Sequence, residues 1–224
     1  MMTPLTLTVQ GTARIELEPE RADLRFTVAA DGPDRAPVVD AVSAALATIS
    51  SMLADRHDPQ SGPVLAWSAD QVTVSAQRPW TNDGSQAPLV HGAAAAGRAT
   101  LTAEAAAVAA LVDALSAHPS VTIEGLEWSL TDARLSAAQS EARTLAVGDA
   151  LGKAQALAAA VGRSDVVAVA LADPGMLDGA APGPMPQPRF EKAMSMAMDA
   201  GGGGFALRPQ PITIEVTVDA RFSA

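Results

Sequence analysis

Residues 5–30 read LTLTVQGTARIELEPERADLRFTVAA, and the alternation in this stretch decides the fold class. Leu5, Leu7, Val9, Ala13, Ile15 and Leu17 fall on one side of an extended chain, and Thr6, Thr8, Thr12, Arg14 and Glu16 on the other. Side chains of a strand alternate between faces, so this is a strand with one buried face. Gly11 interrupts the apolar row and predicts a bulge. Glu18-Pro19-Glu20 ends the run, because proline has no N–H to give to a ladder. The alternation then resumes, with Ala22, Leu24, Phe26, Val28 and Ala30 opposite Arg21, Asp23, Arg25 and Thr27. Two alternating runs around a short proline turn predict a long antiparallel hairpin.

Working outward, Val39, Val42, Leu46, Ile49 and Leu53 recur at steps of three and four and predict a helix over 36–56. Residues 64–68 and 71–78 read as two short strands or one bent one, and 79–90 as a loop with an Asn82-Asp83-Gly84 turn. Residues 97–104 alternate again. A short helix over 105–117 carries Val108, Leu111, Val112 and Leu115. In the strand 121–130 the apolar parity switches after Gly125, which predicts a bulge there. Asp132 can cap the longest helix, 133–161, whose stripe is Leu135, Ala138, Ala142, Leu145, Ala150, Ala154, Leu157 and Val161, and Gly162 stops it. Residues 166–172 form a short apolar strand, and 212–222 alternate once more. The order β-β-α-β-β-α-β-α-β-β predicts an α+β protein with mainly antiparallel sheet. Before the last strand, residues 174–211 hold 7 of the 16 prolines and 7 of the 17 glycines, which predicts a flexible loop or arm over 174–210.

Composition narrows the function. The 224 residues carry 15 Lys+Arg and 25 Asp+Glu, a net charge of −10, which argues against a nucleic-acid or anionic-membrane binder. No apolar run approaches the roughly 18–20 residues that span a bilayer. With no cysteine there is no disulfide, thiolate metal site or thiol nucleophile. Alanine, at 49 residues, reads as the bias of a GC-rich genome. Met1-Met2-Thr3-Pro4 leads straight into a strand without the features of a signal peptide, which predicts a cytoplasmic chain.

The search for chemistry is mostly negative. His57, His91 and His118 lie in loops or at element ends and have no metal-ligand spacing. No GxSxG elbow, Walker A loop or strand-linked GxGxxG is present, and Gly201–Gly204 reads as a linker. Glu16, Glu18 and Glu20 read either as a weak divalent-cation site or as a solvated face that discourages edge pairing. Met194, Met196 and Met198 suggest Cu(I) ligation or an adaptable apolar contact for a partner subunit. Gly148, Gly152 and Ala156 lie four apart on the long helix, suited to packing on the sheet or to contact with another subunit's helix.

Three stretches carry a resemblance. They are LTVQGTARIELEPERADLRFTV (7–28), with Gly11, Pro19 and Ala22; ARLSAAQSEARTLAVGDALGKAQALAAAVG (133–162), with Asp149, Lys153-Ala154 and Gly162; and the closing ITIEVTVDARF (212–222). Together they resemble the SIMPL-domain family, which includes bacterial periplasmic immunogenic proteins and a vertebrate kinase-associated signalling protein. The resemblance runs over nearly the whole chain and implies a single domain over 5–222 that opens on a hairpin. It implies no catalytic, cofactor-binding or metal-binding residues. For some members it implies large homo-oligomers or a part in stress responses.

The expected function is therefore non-enzymatic, without cofactor, acting through self-assembly or contacts with another protein. The alternative is a small-ligand or metal-binding module, built around Trp67, Arg78, Trp80 and His91.

Overall fold

The structure is a computed structural model and describes residues 5–82, 84–177 and 207–224. The element order is β1 (Thr6–Leu17), β2 (Arg21–Gly32), α1 (Arg35–Ala54), β3 (Val64–Ala69), β4 (Thr73–Gln77), β5 (Val90–Thr102), α2 (Ala105–Ser116), β6 (Val121–Ser129), α3 (Asp132–Ala160), β7 (Val167–Ala172) and β8 (Ile212–Ser223). All strand pairs are antiparallel, and the fold class is α+β as expected. The described residues form two compact units. One holds 5–18, 130–177 and 211–224; the other holds 19–82, 84–129 and 207–210.

The expected opening hairpin does not form. All twelve residues of β1 pair with β8, from Thr6↔Ser223 to Leu17↔Ile212, whereas β2 lies between β5 and β6. Alternation specifies which face a strand buries and leaves its partner open. The link 18–20 carries the chain from one sheet to the other, and the Glu20 N–H at once donates to the Ser129 carbonyl at 2.9 Å.

In the second unit the strand order is β3-β5-β2-β6, with β4 also on β5. The inward rows of β2 and β5, including Leu24, Phe26, Val28, Ala99 and Leu101, join Val42, Ile49 and Leu53 of α1 and Val108, Leu111 and Leu115 of α2 in one apolar core. Residues 64–77 resolve into two strands, and β5 starts at Val90, earlier than expected. Its alanines have low strand propensity, and pairing on both sides overrides it. The bulge at Gly125 is present: Arg25 pairs with Gly125 and Phe26 with Ile123, leaving Glu124 extra. By length and composition α1 passes as a membrane span, with a mean hydropathy of 1.5, which the count of apolar runs did not show. Its Val38, Val42, Ala45, Ile49 and Leu53 are buried in this core.

The first unit is a three-stranded sheet, β1-β8-β7, with α3 on one face. The helix seats itself through Ala138, Ala142, Ala146, Ala150, Ala154 and Ala158, all buried and all four apart. Leu145, Leu157 and Val161, expected in the buried stripe, are 51%, 51% and 63% exposed. The small alanine row brings the helix so close that larger side chains fall to the flanks. Gly11 shows how close. Its register with Val218 is unbroken, so there is no bulge. A Cβ built there would collide with the Ala146 carbonyl and lie 2.8 Å from the Ala150 Cβ. Thr131, one residue before Asp132, caps the helix by accepting from the Arg134 N–H at 3.2 Å. At the other end Gly162 has φ +75°, and the N–H groups of Gly162 and Arg163 donate to the carbonyls of Ala159 and Ala158. That is a Schellman stop.

Candidate functional site

The run Val166–Ala172 is aliphatic and carries no charge. Its strand, β7, pairs with β8 on one side, Ala168 with Phe222 and Ala170 with Arg221, and the register slips at Val169. No described strand pairs with the other side. Val167, Val169 and Leu171 are 61%, 61% and 52% exposed. An exposed edge strand offers unpaired backbone donors and acceptors beside apolar side chains, the condition for adding a strand from another chain. Its exit is fixed by the turn Asp173-Pro174-Gly175-Met176. Gly175 has φ +80°, the Met176 N–H donates to the Asp173 carbonyl at 3.0 Å, and the Gly175 N–H donates to Asp219 Oδ2 at 2.7 Å.

The opposite edge, β1, is treated differently. Leu5 exchanges both backbone hydrogen bonds with Ala224. In an unbroken antiparallel register the odd positions of β1 therefore bond β8, and the even positions face the open edge. Two central edge groups are taken by side chains of α3. Asp149 Oδ2 accepts from the Thr12 N–H at 2.8 Å, and Lys153 Nζ donates to the Gln10 carbonyl at 2.9 Å. The two side chains also pair with each other, one helical turn apart, at 2.7 Å. The Lys153 ammonium, and then the Thr12 N–H, hold the Asp149 carboxyl below the usual carboxylate range.

A family model described as SIMPL, a protein of unknown function (DUF541), matches residues 7–222. The chain belongs to the SIMPL family. No curated protein matches it. The match establishes the family and carries no reaction with it.

The marks that carried the SIMPL resemblance have structural work. Gly11 admits α3, Asp149 and Lys153 hold the edge of β1, and Gly162 ends the helix. Of the residues considered for a ligand site, Arg78 follows the Gln77 that pairs with Val90, next to His91, whereas Trp67 lies far along β5. Trp67 pairs with Ala99 and His91 with Ala76, so the two lie eight positions apart along β5, about 26 Å at the usual strand rise. Trp67 packs partly on the core, while Trp80 is 70% exposed. The His91 Nδ1 is buried and has no hydrogen-bond partner among the described residues. His57 is exposed, and the His118 Nδ1 accepts from the Ser120 N–H at 3.3 Å. Glu16 pairs with Arg14 at 2.8 Å, and Glu18 and Glu20 fall in different units. Among the described residues no three His, Asp or Glu side chains are grouped for a metal ion.

Gly148, Gly152 and Ala156 are exposed, with open space beyond both glycines, so they do not pack on the sheet. The alanine row on the other side of α3 does that. The arm over 174–210, with Met194, Met196 and Met198, lies outside the described residues except for its ends at 174–177 and 207–210. Val167–Ala172 form the strand expected over 166–172, but its place at an edge is not evident from the residues alone. The signal available was a seven-residue apolar run with no charge to deter pairing.

Proposed function

We propose that this SIMPL-family chain acts without catalysis, by self-association, and that the contact is strand addition at the outer side of β7. The observation that supports this reading is the combination of an uncharged edge strand with three large aliphatic side chains more than half exposed. The resemblance to the SIMPL family supports a stress-related setting for the assembly. A lysine in the middle of an edge strand is a common deterrent to pairing. Val169 is exposed enough to take one without disturbing the core. Light scattering over a concentration series tests the reading. The wild type is expected to form a dimer or larger species at micromolar concentration, and Val169→Lys to stay monomeric and folded, with a melting temperature that does not rise with concentration as the wild type's does. A strictly monomeric wild type would overturn it.

A further inference from the structure

The two edges of the β1-β8-β7 sheet contrast, and the contrast has a consequence for assembly. A sheet open on both edges can add copies without limit, because a head-to-tail contact that does not close produces a fibre. β1 is twice as long as β7, twelve residues against six, and its outward face is polar and uncluttered. By length alone it is the better template. Its even positions Thr6, Thr8, Gln10, Thr12, Arg14 and Glu16 would meet an incoming strand. An antiparallel partner needs both the N–H and the C=O of each residue it pairs with. The Thr12 N–H is committed to Asp149 and the Gln10 carbonyl carries the Lys153 ammonium, so neither central pair can form its two bonds without displacing these side chains. What remains is two positions on either side, too few for a stable ladder.

We infer that Asp149 and Lys153 guard the edge of β1, denying it to a second copy of this chain and confining strand addition to β7. The confinement to β7 rests on the function proposed above; the guarding of β1 does not. Gly11 belongs to the same device, because only the close seating of Ala146 and Ala150 over it brings Asp149 within reach of Thr12. The charged pair is well suited to the task. Its side chains satisfy the edge as a neighbouring strand would, but they belong to a helix and offer no further edge.

The test compares Asp149→Ala/Lys153→Ala with the unaltered pair, both made in Val169→Lys, so that β7 is closed in each. Alanine keeps helix propensity at these exposed positions. Amide exchange is followed at a dilution at which both proteins are monomeric, at Thr12 and at Gly11 and Ala13, whose N–H groups face β8. Loss of the guard should speed exchange at Thr12 by about tenfold or more, while Gly11 and Ala13 stay protected and so report an intact sheet. Light scattering should then show concentration-dependent association that the Val169→Lys parent lacks. Unchanged protection at Thr12 would overturn the inference. So would a freed Thr12 with no gain in association, which would reduce the pair to a packing contact. Association of the Val169→Lys parent itself would count against β7 alone, and the guard would still be judged by the added association on top of it.

Discussion

One methyl group at Gly11 separates two outcomes for α3. The added Cβ would meet the Ala146 carbonyl and the Ala150 Cβ, both on the helix backbone or next to it, and neither can swing away. Gly11→Ala is expected to cost about 1–3 kcal/mol through overpacking. Gly148 on the same helix has nothing within 4 Å of its would-be Cβ. There the helix gains and nothing is crowded, so Gly148→Ala should add about 0.8–1 kcal/mol. Urea midpoints of the two variants should move in opposite directions. The same side of α3 supplies a pH signature. The Asp149 carboxyl is held low, so its contribution is fully present above the ordinary aspartate range and is lost as the pH falls through the lowered value. The Thr12 amide proton shift should stay constant from neutral pH to about pH 4 and move only below it. A transition centred at or above that value would contradict the Lys153 and Thr12 contacts.

At the scale of elements, most of the fold was legible because periodicity is a local property. The spacing of Val108, Leu111, Val112 and Leu115 marks α2 and its buried face correctly, since all four are buried. What the residues do not carry is the identity of the partner. The alternation in 6–17 and 21–32 is the same whether the strands pair with each other or, as here, with β8 and with β5 and β6. The α3 stripe held at Ala138, Ala142, Ala150 and Ala154, which are buried, and failed at Leu145, Leu157 and Val161 for a related reason: the surface beneath has room only for alanine, which is also why Gly11 faces it. Leu157→Ala should therefore change stability by less than about 0.5 kcal/mol, where a core leucine would cost about 2–5. Ala150→Val, on the buried row, should cost about 1–3 kcal/mol. Thermal melts of the two variants would show the order, and the reverse order would mean that the helix sits on its leucine face.

For the molecule as a whole, the candidate site was half legible. Residues 166–172 announce a strand, but its position at an edge follows only from β8 lying between β1 and β7. The edge guard was less legible still. Asp149 and Lys153 look like an ordinary i,i+4 pair until β1 is placed beside them. The net charge of −10 opposes self-association, but screening at physiological ionic strength acts beyond roughly 8 Å, and the proposed contact strand is itself uncharged. The most direct measurement is residue-resolved amide exchange of the wild type at nanomolar and at high micromolar concentration. Association through β7 should protect amides within Val167–Ala172 at the higher concentration and leave the outward amides of β1 as they were. Identical exchange of β7 at both concentrations, or protection that grows on β1 instead, would contradict it.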